Sequence, residues 1–387
     1  MVNLPHKNDC CGCTACESIC SHKAITMEPD DEGFLYPIVN ENLCVGCHLC
    51  ENTCPVLERD KQGKTLEIEE QQYYALRCKD EDVLYNSSSG GVFSVVANYV
   101  FKHGGAVVGV EFSEDMEVRH VIITNSENLQ KLRGSKYVQS NIQGIYPEVR
   151  RLLLQGKMVL FTGTPCQVHA LKEFIRKPFE NLITIDLICH ATPSPKIFKE
   201  YINYLNNHYH SKVMWMNMRD KEKRGWGDPH SIRLQLPDNQ YVIDDSNIVQ
   251  WPRIYFSRLI DRPSCHHCRY TNFKREGDLT MADFLDLNNM RPDLYSKKGT
   301  SLLIVNTLKG KSLFKEICNE FDYYIVSKEE ASQPCLNKPI AKAIDREWYW
   351  EYYDNHTFKQ TINLFFSDTI VSRIRRKISR YIHNFKK

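Results

Sequence analysis

The chain has 387 residues, is 42% hydrophobic, and sets 50 lysines and arginines against 48 aspartates and glutamates, for a net charge of +2. That is enough for a large core or two to three domains, and it excludes the broad basic field that nucleic-acid binding requires, so no nucleic-acid partner is expected. No apolar run approaches the ~20 residues of a spanning helix, and the opening MVNLPHKNDC lacks the apolar stretch of a secretory signal, so a cytoplasmic protein is expected.

Disulfides rarely persist in that compartment, so 16 cysteines ask for a metal. The first element is a duplicated run. Cys10, Cys13, Cys16 and Cys20 follow C-x2-C-x2-C-x3-C, and Cys44, Cys47, Cys50 and Cys54 repeat it with Pro55 behind. This is the spacing of two-cluster bacterial ferredoxins, in which the fourth cysteine of each run ligates the other cluster. Three thiolates on one tight loop wrap three irons of a cubane, and the fourth iron takes its ligand from the other half. Two 4Fe–4S clusters are expected, one on Cys10, Cys13, Cys16 and Cys54, the other on Cys44, Cys47, Cys50 and Cys20. Zinc also takes C-x2-C pairs, but usually as two separated pairs. Cys11 lies out of register and reads as a spare thiol. Ser21 stands where a proline usually follows the fourth cysteine, and Phe34 and Tyr36 read as packing near a cluster or as plain core.

Beyond Pro55 the charged stretch ERDKQGKTLEIEEQQ has no apolar periodicity and reads as a linker. Short strands then alternate with helices. YYALRC is a strand, and residues from Gly90 to His103 form a helix closed by Gly104 and Gly105. AVVGVEF and VRHVIIT are strands, and 142–155 is helical. KMVLFTG is a buried strand before a helix from about Gln167 to Ile175; NLITIDLIC and PKIFKEYINYLNNHY repeat the pair. HSIRLQLP and YVIDD flank Asp238-Asn239, a hairpin signal. GDLTMADF and TSLLIVNT are strands, followed by a helix around Ser312 to Asn319 and the strand DYYIVS. Such alternation predicts an α/β sheet covered by helices, in two lobes.

Four more cysteines fall at suggestive places. Cys166 in FTGTPCQ and Cys189 in DLICH end strands, and Cys265 and Cys268 form a C-x2-C pair. Ligands of open α/β sheets gather at strand carboxyl ends, so these four thiols can hold a third 4Fe–4S cluster; buried core cysteines with a small zinc site or redox pair at 265 and 268 are the alternative. Cys78, Cys318 and Cys335 read as isolated. The run Ser87-Ser88-Ser89-Gly90-Gly91 lies between a strand and an apolar helix, where free N–H groups and the positive helix end suit a pyrophosphate. Leu132-Arg133-Gly134-Ser135-Lys136-Tyr137 can add two cations and a stacking ring. A capped helix and an ordinary turn are the plain alternative, but clusters pass single electrons, and two-electron chemistry beside them calls for a flavin.

Taken together, SSSGGVFS, LRGSKYVQS, GTPCQ, DLICHATPSP and the C-x2-C followed by DLTMADF resemble the coenzyme F420 hydrogenase/dehydrogenase beta-subunit family over roughly residues 70 to 330. The resemblance implies FAD, a 4Fe–4S cluster near it, and electron transfer between clusters and a two-electron partner. It assigns Ser88, Ser89, Gly90 and Gly91 to the loop beside the flavin phosphates, and Arg133, Ser135, Lys136 and Tyr137 to a second flavin-contacting element. Thr162, Gly163 and Thr164 fall at the edge between flavin and cluster, with Cys166, Cys189, Cys265 and Cys268 as cluster ligands. Asp283 matches a family acid near the same site, with a strand or helix cap as its plain reading. Ala191 replaces a glycine common in relatives. His190 reads as a proton donor or a structural histidine, and RDKEKRGW (219–226) as a lid for an anionic substrate or a solvated loop.

At the far end, Ile370, Ile374, Ile378, Ile382 and Phe385 keep near-helical spacing among Arg373, Arg375, Arg376, Lys377, Arg380, Lys386 and Lys387. Such a basic amphipathic helix docks on a partner, on the chain's own body, or on a membrane surface. The expected fold class is α+β or α/β: a bacterial ferredoxin-like domain (1–60), a linker (61–72), a two-lobed mixed α/β flavin-binding region (73–150 and 151–330), and a helical basic tail (331–387). The expected function is an FAD and iron–sulfur oxidoreductase. Its electron partner is ferredoxin or another protein, and its two-electron small-molecule substrate is coenzyme F420-like or a polysaccharide-pathway intermediate. The alternatives are an electron relay that feeds a separate catalytic partner and a non-redox scaffold with structural clusters.

Overall fold

The computed structural model describes residues 2–57, 71–227, 231–367 and 369–385. Most of the expected linker lies outside them, as do His230, Lys386, Lys387 and the side chains of Ile382 and Phe385.

The duplicated cysteine run folds as a duplicated loop. Gly12 and Gly46 both sit at φ +66, a conformation glycine adopts without a Cβ clash. Single helical turns follow, α1 (Ala15–Ile19) and α2 (Leu49–Asn52), entered through left-handed Thr14 and His48 with no side-chain cap. Between the runs, β1 (Ile25–Pro29) and β2 (Leu35–Val39) form an antiparallel hairpin whose buried residues include Ile25, Met27 and Tyr36.

The body is built on one eight-stranded mixed sheet. Its strands are β3 (Gln72–Cys78), β4 (Ala106–Phe112), β5 (Val118–Ile123), β6 (Val159–Gly163), β7 (Leu182–Leu187), and, skipping a smaller sheet, β11 (Leu279–Asp283), β12 (Ser301–Val305) and β13 (Phe321–Val326). The spatial order is β13-β3-β12-β11-β7-β6-β4-β5, with β11, β7, β6 and β4 mutually parallel and antiparallel strands outside them. Period-2 alternation assigns each strand residue to a face. Val107 and Leu160 pack under α3 (Val92–Lys102) and α8 (Leu308–Ile317), while Ala106, Val108 and Phe161 pack under α4 (Ile145–Leu154) and α5 (Pro165–Ile175). Burying each such aliphatic side chain contributes roughly 1.5–3 kcal/mol.

A second core forms the other lobe. The short strands β8 (Trp215–Asn217), β9 (Arg233–Gln235) and β10 (Tyr241–Ile243) pack with α6 (Pro195–Tyr209), α7 (Gln250–Phe256), α9 (Arg346–Asp354) and α10 (Phe358–Phe365) around Tyr201, Trp251 and Tyr349. Asp238 and Asn239 take positive φ between β9 and β10, as the hairpin signal demands. Finally α11 (Ile370–Phe385) lies along α9 and α10. Among the described residues no helix is long and apolar enough to cross a membrane.

Two helices start earlier than the sequence expectation, while those expected from Gly90 and from 142 start later, at Val92 and Ile145. α5 begins at Pro165 rather than Gln167, because Thr164 and Gln167 form a reciprocal capping box. α8 begins at Leu308 rather than Ser312, because the Thr307 hydroxyl accepts from the Gly310 amide. α3 ends as expected: the Gly105 and Gly104 amides donate to Val100 and Phe101 carbonyls, a Schellman closure.

Candidate functional site

In the arm, Cys10, Cys13, Cys16 and Cys54 line one small cavity. Their thiols lie within electrostatic reach of one another, and burial raises those of Cys16 and Cys54, the latter to about 11. Cys54 thus sits beside the first run, with Cys50 also near. Cys20 is likewise within reach of Cys50, while Cys44 is half-buried and Cys47 exposed. A dry pocket of neutral thiols is costly to ionise unless a positive centre supplies the countercharge.

The arm is locked to the body by residues that no sequence pattern had marked. Arg262, 1% exposed, donates to the carbonyls of Cys10 at 2.7 Å and Leu35 at 2.9 Å, to Gln139 Oε1 at 3.0 Å, and lies 3.8 Å from Cys10 Sγ. Its guanidinium also covers the Tyr36 ring at 4.3 Å, so Tyr36 packs between the hairpin and the arginine. Gln139 donates to the Cys11 carbonyl, and Arg346 makes a two-pronged ion pair with Glu32. No local pattern could have found Arg262 or Arg346, since the groups they bind on the arm are remote in the sequence.

The parallel register explains the body's cysteines. Gly163 pairs with Asp186 and Met281 with Leu187, so β6, β7 and β11 end on the same edge of the sheet. There Cys166, Cys189, Cys265 and Cys268 line one cavity together with Cys11. Cys189 lies within electrostatic reach of Cys265, Cys166 and Cys268, and burial pushes the Cys265 thiol up to about 12. Cys11, out of register in the run, is half-buried where the arm meets the body, beside Cys13 and Cys166. One expectation is corrected. Cys335 is not isolated but lies near Cys189 and Cys268. Among the described residues no three His, Cys, Asp or Glu side chains converge tightly enough to hold a single metal ion. A cubane spreads its thiolates over four irons and asks for wider spacing than one tetrahedral ion does.

The same edge carries the serine–glycine loop, since Asp283 pairs with Ser301 and Ser301 with Leu76 of β3. The Ser88 hydroxyl accepts from the Ser135 amide at 2.8 Å, which brings the two expected flavin elements together. The ring of free N–H groups is only partly present. Gly90 donates to Ser301 Oγ at 2.8 Å, and a Cβ there would meet the Leu76 carbonyl oxygen at 2.3 Å. Ser89 Oγ donates to the Thr300 carbonyl. Gly91, at φ +90, is the N-cap of α3 and brings no side-chain acceptor, which leaves that helix end open to an anion. Arg133 is anchored through Nε on Ser94. Lys136 is not a free cation: it is half-buried, its amine donates to the carbonyls of Lys131, Arg133 and Gly134, and desolvation pushes it down to about 7.

Tyr137 stacks on Tyr255 at 4.6 Å and its hydroxyl accepts from Arg219 at 3.1 Å. Arg219 also pairs with Asp283 at 2.6 Å, so that carboxylate is committed to a buried ion pair. The RDKEKRGW segment is therefore no solvated loop at its start. Lys221 Nζ donates to the carbonyls of Leu84, Ser89 and Lys298 and so clamps the serine–glycine loop. His190 lies 5.5 Å from the Tyr255 ring, its Nδ1 is buried without a hydrogen-bond partner, and burial followed by the Arg258 charge lowers its pKa. Thr162 Oγ1 donates to the Val108 carbonyl, Gly163 packs against Gln167, and Thr164 Oγ1 touches Cys166 Sγ at 3.1 Å.

A duplicated ferredoxin loop fused to an α/β sheet, with thiols at the sheet's strand ends, defines an iron–sulfur redox protein as the class. Comparison with known proteins narrows this. The family of the coenzyme F420 hydrogenase/dehydrogenase beta subunit matches in both its parts, the amino-terminal one over residues 73–145 and the carboxyl-terminal one over 156–331. A 4Fe-4S dicluster domain matches 9–57. The chain belongs to the coenzyme F420 hydrogenase/dehydrogenase beta-subunit family, with an iron–sulfur domain at its front. It is 23% identical to the F subunit of F(420)H(2) dehydrogenase from Methanosarcina mazei, over 67% of this chain and 71% of that one. It is 22% identical to the beta subunit of coenzyme F420 hydrogenase from Methanococcus voltae, over 62% and 79%. A chain of the F420-reducing [NiFe] hydrogenase complex from Methanosarcina barkeri aligns at 15% identity and TM-score 0.45, covering 77% of this chain and 93% of that one.

Proposed function

We propose that the chain is an iron–sulfur flavoprotein oxidoreductase with two 4Fe–4S clusters in the arm, a third on Cys166, Cys189, Cys265 and Cys268, and FAD along loop 87–91 and segment 133–137. The observation that carries the reading is the convergence of four body cysteines on a cavity that also receives Cys11 from the arm. When bound, the clusters pass single electrons and the flavin pairs them for a two-electron substrate. The chain's own part is positioning. Arg262 fixes the inner half of the arm against the body, so the thiol sets face each other without a moving joint. The open first turn of α3 receives the flavin pyrophosphate, with Ser88 and Ser135 beside it and Arg133 close by. Lys136 and Lys221 shape the two loops through carbonyls rather than touching phosphate. Asp283 holds Arg219 and Tyr137 at the flavin edge as a positioning group.

The names of the curated relatives favour a coenzyme F420-like two-electron carrier as substrate, while no observation of this chain points to a polysaccharide intermediate. A relay role feeding a catalytic partner is favoured by one observation. Ile38, Leu43 and Val45 are 50%, 49% and 62% exposed around the outer cysteine run, a rim suited to docking ferredoxin or a partner protein. Anaerobic purification with iron, sulfide, zinc and flavin quantification tests the proposal. About 12 irons and one FAD per chain are expected for three cubanes and a flavin. Iron for the arm alone, or zinc in place of the rest, sinks the third cluster, and absence of flavin sinks the FAD. Turnover of a small-molecule acceptor by the isolated chain separates the enzyme from the relay.

A further inference from the structure

The helix α11 is oriented the wrong way round for an amphipathic helix that covers its own protein. Successive side chains turn by about 100°, so Ile370, Ile374, Ile378 and Val371 fall within an arc of about 100° on one side. All four face solvent, at 76%, 53%, 56% and 57% exposure. The opposite side is the one that docks. Arg376 donates to the carbonyls of Leu364 and Ser367, Arg380 pairs with Asp345 at 2.8 Å, and His383 with Glu351 at 3.1 Å. The body thus holds the helix by its polar face and presents its aliphatic face outward.

The charges flanking that face choose among the occupants. Arg375 lies on one border of the arc, Lys377 and Arg373 on the other, and all three are exposed. No aspartate or glutamate occurs from Thr369 to Lys387. A second copy of the same helix would set these like charges against one another. An apolar protein groove would leave them without counterions. An anionic lipid surface satisfies both features at once, taking the aliphatic arc into the headgroup–acyl boundary and the basic borders onto phosphates. We infer that α11 seats this protein on the surface of an anionic membrane through Ile370, Val371, Ile374 and Ile378, with Arg373, Arg375 and Lys377 on lipid phosphates. The inference does not depend on the redox reading.

The test is co-sedimentation of the full, anaerobically prepared chain with vesicles of equimolar phosphatidylglycerol and phosphatidylcholine, against phosphatidylcholine alone. Binding to the anionic vesicles should be at least about tenfold tighter and should weaken as salt rises. Ile374→Glu with Ile378→Glu should abolish it while leaving the visible spectrum and thermal unfolding unchanged, since both side chains already face water. Arg373→Gln, Arg375→Gln and Lys377→Gln together should remove the preference for anionic lipid. Failure of the wild-type chain to sediment, equal binding to neutral vesicles, or binding that survives the double glutamate variant overturns the inference. So does a concentration-dependent dimer that the glutamate variant dissolves.

Discussion

The two cysteine runs of the arm share a backbone and differ in what surrounds it. Gly12 and Gly46 take the same φ, Thr14 and His48 both enter a helical turn left-handed, and the Cys10 and Cys44 amides each donate to the carbonyl four residues back. Yet a Cβ on Gly12 would lie 2.5 Å from Arg262 Nη1, while one on Gly46 would have nothing within 4 Å. Cys10 and Cys13 are buried against the body; Cys47 and Val45 face water. One local program, repeated, therefore yields an inner and an outer loop. The cysteine spacing makes both, and the docking surface decides which of them meets the body's cysteines.

Removing that docking is the strongest way to break the distinction. Arg262→Ala leaves the buried carbonyls of Cys10 and Leu35 and the Gln139 side chain without their donor, and should cost about 3–5 kcal/mol. Hydrogen exchange should show the amides of 10–16 losing protection while those around 44–50 change little. Arg262→Lys should recover part of the loss, because an ammonium keeps the charge but not the fork that reaches three acceptors. Unchanged exchange in Arg262→Ala would mean the arm is held elsewhere.

Much of the arm was legible in the sequence because its geometry is local: each loop closes over a few residues, so spacing alone specifies it. The strands of the sheet were legible for the same reason, as runs of β-branched residues between glycines and turns. Cys166 and Cys189 could be suspected from their strand ends, but that β6 and β7 are neighbours is a fact about topology. Nothing local announced Arg262 or Arg346, whose partners lie hundreds of positions away in the chain. Lys136 shows the opposite failure. LRGSKY displays a cation, and only the fold reveals that its amine is spent on three backbone carbonyls. Arg219 was likewise one charge among many in RDKEKRGW until the structure buried it against Asp283.

Acid should separate the body from the arm by a different route. His120 is buried between the Thr162 carbonyl and Ser140 Oγ, beneath the loop that carries Cys166, and burial pushes its pKa down to about 4. Unfolded, it titrates near 6.5. Its contribution is thus fully present above about 6.5 and is lost as pH falls toward 4, by at most about 3 kcal/mol. Exchange in β5 and β6 should accelerate over that window. His120→Gln, which cannot take up the proton, should flatten the dependence. An acid profile identical in the two proteins would assign the loss to another group.

The sharpest comparison uses one substitution at two equivalent places. Alanine at either Gly12 or Gly46 must adopt a left-handed conformation, at about 1–2 kcal/mol. At Gly46 that is the whole cost, since the space beside it is open. At Gly12 the new methyl also collides with the Arg262 guanidinium, and shifting a buried, fully bonded group adds about 1–3 kcal/mol. Exchange protection of the arm should therefore fall further in Gly12→Ala than in Gly46→Ala by that second amount. Combining Gly12→Ala with Arg262→Ala closes a cycle in which the collision no longer exists, so the glycine change should then cost only what it costs at Gly46. Equal losses at the two glycines, with no coupling to Arg262, would mean that both cysteine runs see the same surroundings and that the arm has no inner side.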